Sequence, residues 1–101
     1  MIAGAGEEII KAVLTWPEVT AHPHRFGGTE FQLGKREIGH IHGDTLVDIP
    51  FPTKVRNELV AAGLAQPRHV FPESGWISLL CMPWRARSLL ARSAMKNARA
   101  G

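Results

Sequence analysis

His40 and His42 stand one residue apart inside the run Glu37-Ile38-Gly39-His40-Ile41-His42-Gly43-Asp44. Here titratable side chains concentrate within an apolar pattern. In an extended strand alternate residues share a face, so Ile38, His40 and His42 are expected on one side, with Gly39 and Ile41 on the other. The two imidazoles would then lie about 6–7 Å apart along the strand. At that spacing they can hold a metal ion, share a proton or grip a polar ligand. A divalent metal at His40/His42 needs a further donor, either a third imidazole or a carboxylate such as Asp48 or Glu37. The plainer reading is a pair of half-buried histidines, each hydrogen-bonded to a neighbour. Cys81, beside Met82 in an apolar stretch, reads as core and not as a nucleophile.

Such histidines need a sheet to hold them. Residues 29–33 alternate, with Phe31 and Leu33 on one face and Glu30 and Gln32 on the other. Gly34-Lys35 makes a tight turn into a strand over 36–42, and Gly43-Asp44 makes a second turn into a strand over 45–51. The expected unit is a three-stranded meander over residues 28–51. Asp48 lies across from the histidine strand, on their face or the opposite one according to register.

The flanking segments supply the cover. Residues 7–16 read as a helix, with Ile9, Ile10, Val13 and Leu14 at helical spacing, Glu7 and Glu8 in the first turn and a stop at Pro17. Val19 and Thr20 are strand-like. In His22-Pro23-His24 the proline favours an edge or a loop, so these histidines read as edge residues before they read as ligands. Residues 52–62 form a second helix, opened by Pro52, striped by Val55, Leu59 and Val60, and capped by Gly63. Residues 64–72 connect to a last strand over 74–82, which lacks alternation as a buried strand does. Pro83 breaks it, and residues 84–98 form a helix with Trp84, Leu89, Leu90 and Met95 toward the core. The expected class is α+β: an antiparallel sheet of four to five strands with helices packed on one face, in the order α-β-β-β-β-α-β-α.

The chain has 101 residues, enough for one domain, and one cysteine, so no intrachain disulfide is possible. The first residues lack a secretory layout and no apolar run approaches the roughly 20 residues of a membrane span, which makes a cytoplasmic placement the expectation. The formal charge of +3 is uneven. Residues 81–101 hold five basic residues and no acid, whereas residues 1–80 hold seven basic residues and all nine acids. That basic tail reads as a solvated helix end, or as a contact for an acidic partner.

With the elements placed, the residues become recognisable. Phe26-Gly27-Gly28-Thr29-Glu30-Phe31, Leu33-Gly34, Arg36-Glu37-Ile38-Gly39-His40-Ile41-His42, Asp48-Ile49-Pro50-Phe51, Pro67-Arg68-His69 and Ser74-Gly75-Trp76-Ile77-Ser78 follow one another over roughly residues 16–80. This series resembles the bacterial branch of the luciferase-domain family, which also contains the fungal luciferases. The resemblance implies a single luciferase-like domain over 1–101, with an atypical basic segment at 81–101. It aligns Glu37, His40, His42, Gly63, Arg68 and His69 with a pattern that recurs in the fungal members. For those members it implies oxygen-dependent oxidation of a hydroxypyrone-like substrate.

Three readings follow. In the first, His40, His42 and His69 form a catalytic or binding site for a small aromatic or enolic molecule. One imidazole acts as general base, Arg36 and Arg68 steady the developing oxyanion, and Trp76 stacks on the ring; Glu37 and Asp48 complete the ligand-binding set. This reading is that of a cofactor-independent, luciferase-like oxidoreductase, with no cofactor unless the divalent metal at His40/His42 is present. In the second, the chain is a non-catalytic regulatory module whose basic C-terminal helix contacts an acidic partner or nucleic acid. The strands lack the exposed aromatic pairs of single-strand binders, which counts against nucleic acid. In the third, the histidines, Glu37 and Arg68 are a buried network that fixes the fold. The expected partner is a small-molecule ligand, without a membrane, on a monomer or homodimer.

Overall fold

The computed structural model describes residues 4–24, 27–67 and 75–100, with the side chains of 96–100 left aside. The elements run α1 (Ala5–Val13), β1 (Val19–Pro23), β2 (Thr29–Leu33), β3 (Arg36–His42), β4 (Leu46–Pro50), α2 (Thr53–Ala61), β5 (Gln66–Pro67), β6 (Trp76–Leu80) and α3 (Pro83–Ala100). The strands form one antiparallel sheet in the order β1-β2-β3-β4-β6-β5. The α+β class and the element order are as expected. The sheet has six strands where four to five are predicted, because two residues, Gln66 and Pro67, pair with Ser78 and Ile77 along β6.

The meander forms where its turns predict it. Gly34 and Gly43 both take positive φ, of 63° and 56°, which glycine adopts without a Cβ penalty. β3 pairs with β4 in the register His40↔Asp48, Ile41↔Val47 and His42↔Leu46. β4 pairs with β6 as Leu46↔Leu80, Asp48↔Ser78 and Ile49↔Ile77.

These registers make a two-faced sheet. One face carries Phe31, Ile38, Ile41, Val47, Ile49 and Ile77, all at most 1 % exposed. α3 packs on β3 and β4, and α1 packs on α3. Burying each such side chain stabilises the fold by about 1.5–3 kcal/mol, so this layer dominates the core. The opposite face carries Glu30, His40, Asp48, Ser78 and Gln66 in directly opposed positions across five strands. Among the described residues no helix is long and apolar enough to cross a membrane.

Three corrections concern packing. A bulge between β2 and β3 sets Phe31 opposite Gly39 but Gln32 opposite Glu37, leaving Ile38 as the extra residue. Ile38 therefore turns into the core with Ile41 and does not share the face of His40 and His42. The first helix ends at Val13, short of Trp16, and Leu14 is 43 % exposed. On α3, Trp84 and Met95 point outward, at 77 % and 59 % exposed, while Ala86, Leu89, Leu90 and Ser93 are buried. The helical stripe facing the sheet thus includes small residues, which let α3 approach closely. The buried Ser93 hydroxyl donates to the Pro50 carbonyl at 3.4 Å.

The β3–β4 turn is tied to α1. The Asp44 carboxylate accepts the backbone N–H groups of Gly4 at 3.1 Å and Gly6 at 2.8 Å, capping a helix whose own N-cap supplies no side-chain bond. A Cβ on Gly6 would lie 2.1 Å from the Gly43 carbonyl oxygen. Gly6→Ala is therefore expected to destabilise the protein by about 1–3 kcal/mol through overpacking, although propensity alone would make it stabilising by about 1 kcal/mol. Urea unfolding decides the sign, and a raised midpoint would show that the turn yields.

Candidate functional site

The polar face of the sheet gathers its charged groups at one point. On β3, the bulge returns Glu37 to the side of His40, three residues away. His40 Nδ1 donates to Glu37 Oε2 at 2.6 Å and Nε2 donates to Asp48 Oδ2 at 3.1 Å. A ring with a carboxylate oxygen on each nitrogen carries a proton on both, so His40 is an imidazolium between two carboxylates. Its side chain is 1 % exposed. Burial pulls its pKa down, but the hydrogen bonds to Asp48 and Glu37 outweigh that and raise it to about 9.

Asp48 is the hub. Burial would raise its pKa, yet the bonds from His40, Ser78 and His42 hold it near 2. His42 Nε2 reaches the same Oδ2 at 3.1 Å, and the Ser78 hydroxyl donates to Oδ1. His42 is half-buried, and among the described residues its Nδ1 has no hydrogen-bond partner. The two histidines of the motif therefore differ in kind: His40 is clamped and charged, whereas His42 is oriented by Asp48 and open on one side.

The structure places the sequence candidates as follows. Glu37, His40, His42 and Asp48 come together, and the Trp76 ring lies 5.3 Å from that of His40. The cross-strand pair His40↔Asp48 decides the register that the sequence left open. Arg36 is exposed at the start of β3, opposite Leu33, and strand alternation turns it away from Glu37. It is not available to steady an oxyanion there. His69 and Arg68 lie outside the described residues.

Two residues join that sequence reasoning did not assign. His24 stacks on His40 with ring centroids 4.1 Å apart and meets His42 edge-on at 6.3 Å. Its pKa is lowered by burial and by the His40 cation. The signal is the His22-x-His24 spacing; in the fold the His24 N–H donates to the Gly28 carbonyl at 3.1 Å, just beyond the Pro23↔Thr29 pair, which holds the His24 backbone beside the start of β2. His22 stays exposed, bonded to Thr20 at 2.9 Å. Ser78 was legible only as the residue between Trp76 and Leu80 on one strand face.

Beside this cluster lies a hollow of about 270 Å³ lined by Leu46, Leu64, Ser78, Leu80, Met82 and Arg85 among others. It adjoins the site twice. Ser78 bonds Asp48 and lines the hollow, and Leu46 lines it while standing opposite His42. Leu46, Leu64, Leu80 and Met82 are 37–63 % exposed, an apolar surface next to a polar cluster.

A scan against protein families matches the Luciferase domain over residues 35–87, just over half of the chain. Comparisons with curated proteins and with solved structures found no match. The matched span contains Glu37, His40, His42, Asp48, Trp76 and Ser78, but not His24. On that span the chain belongs to the luciferase-domain family.

Proposed function

We propose that the protein binds a small aromatic or enolic molecule on the histidine face of its sheet and oxidises it with dioxygen. The observation that carries this reading is the His42–Asp48 pair beside an apolar hollow. A ring seated on Leu46, Leu64, Leu80 and Met82 is desolvated on its apolar surface, while its acidic hydroxyl is directed to Ser78 and His42. Asp48 accepts from His42 Nε2, which fixes the tautomer and leaves the Nδ1 lone pair to take the proton. The product of that transfer is an electron-rich enolate, the form from which dioxygen accepts electrons. His40 supports the dyad by holding Asp48 ionised. Family membership by itself would not assign an activity, because a fold hosts many chemistries.

The experiment is a titration of the purified chain with 4-hydroxy-2-pyrones and phenols, followed by tryptophan fluorescence and oxygen uptake. Saturable binding with oxygen consumption is expected. His42→Ala is expected to lower turnover about 100-fold, at the low end for a general base, while leaving ligand affinity within a factor of a few. A panel with neither binding nor oxygen uptake removes the reading, and so does a His42→Ala variant with full turnover.

A further inference from the structure

We infer that β3 and β4 build a site for a divalent transition metal from His40 Nε2, His42 Nε2 and Asp48 Oδ2. The three donor atoms lie within 4.8 Å of one another. Both nitrogens stand 3.1 Å from the same carboxylate oxygen. Bonds of about 2.0–2.2 Å to a shared ion place neighbouring donors roughly 3.0–3.5 Å apart, so the nitrogen–oxygen separations are those of a ligand set. The two imidazoles project from alternate positions of one strand, with their donor nitrogens within 4.8 Å of each other.

The surroundings strengthen the case. Metal-bound histidines generally donate their other ring N–H to a carboxylate, and metal-bound carboxylates are themselves hydrogen-bonded. His40 Nδ1 already donates to Glu37, and Asp48 Oδ1 already accepts from Ser78. The supporting shell is thus in place around the donors. Two imidazoles and one carboxylate occupy one side of an ion and leave the other open, the arrangement of non-haem iron sites; imidazole donors equally suit zinc, cobalt and nickel. The open side is that of His42, whose side chain is 35 % exposed, against 1 % for His40 and 8 % for Asp48. A second set, His24, Glu37 and His40, shares one ring with the first. It is the rival because Glu37 then serves as ligand and not as support.

The site does not depend on the ligand reading. On binding, the ion displaces the protons from both His40 Nε2 and His42 Nε2 to solvent, while His42 Nδ1 stays outside the ligand set. The test therefore uses metal alone. The full chain is stripped with chelator and titrated with Co²⁺ and Zn²⁺, reading cobalt d–d absorption and the unfolding midpoint. One equivalent per chain with a raised midpoint is expected, since an ion that binds only the folded state stabilises it. His42→Ala, which removes a half-exposed ring, is expected to lose at least 100-fold in affinity and to change the cobalt spectrum. Glu37→Gln is expected to lose about 10–100-fold while keeping the stoichiometry. His24→Ala is expected to bind as wild type. Failure of wild type to bind one equivalent overturns the inference, as does a folded His42→Ala with unchanged affinity, or loss of binding in His24→Ala with retention in His42→Ala. Ligand titration of the metal-free chain reports separately on the proposed function.

Discussion

Asp48→Ala is expected to lower the free energy of unfolding by about 3–5 kcal/mol, the range for removing one partner of a buried ion pair. The carboxylate is the common acceptor for His40, His42 and Ser78. Its loss leaves the buried His40 ring with one carboxylate instead of two, and leaves the Ser78 hydroxyl without its acceptor. His42 can turn to water because its side chain is 35 % exposed. His40 cannot, at 1 % exposed. The His40–Asp48 pair is therefore expected to carry the largest share of the effect, and a double-mutant cycle isolates it. In a His40→Ala background Asp48→Ala should cost clearly less than in wild type. Urea unfolding with an unchanged slope gives both numbers. A single-variant loss below 1 kcal/mol would mean that water replaces the carboxylate and that this cluster does not hold the sheet.

Much of this arrangement was legible. The Gly34-Lys35 and Gly43-Asp44 turns, with period-two alternation between them, specify the meander and put a His-x-His strand beside the strand of Asp48. The register did not follow: a two-residue turn at Gly43-Asp44 would set His40 opposite Val47, and it is the extra loop residue Thr45 that puts Asp48 opposite His40 and on its face. The bulge did not follow, because an extra residue in one strand has no periodic signature. Its consequence is double: Ile38 leaves the histidine face, and Glu37 joins it. The stripe of α3 departs from the sequence expectation for a related reason. Reading by residue size favours Trp84 and Met95, but a helix lying close to a sheet needs small residues at the contact, and Ala86 and Ser93 fill those positions. β5 was invisible because two residues, one of them proline, carry no strand pattern. His24 required a pairing partner that only the folded β1–β2 ladder supplies.

The stability of the protein is expected to fall by up to about 3 kcal/mol between pH 6.5 and 9, where many domains change little. The His40 pKa rises from its ordinary 6.5 to about 9 in the folded chain. A raised value means that the fold binds the proton more tightly than the unfolded chain does. The stabilisation is therefore complete below 6.5 and is lost as pH climbs through 9. Each pH unit in that interval is worth about 1.36 kcal/mol, which gives the stated figure. Asp48 has the opposite sign: held near 2 against an ordinary 3.8, it contributes above 3.8 and loses its contribution as pH falls through 2. The two describe one ion pair, so their contributions are not summed. His24, whose proton is bound more weakly in the fold, makes acidification below 6.5 costlier still. Cys81 does not interfere, because burial pushes its thiol to about 11 from 9.0, and its loss begins only at the upper edge of the window. Unfolding free energies of wild type and His40→Ala, measured at half-unit steps from pH 5 to 9, separate the His40 contribution from the rest. The difference between the two proteins should shrink steadily above 6.5. A difference independent of pH would show that His40 is neutral in the fold, and that one of its two carboxylate contacts is made by a protonated acid.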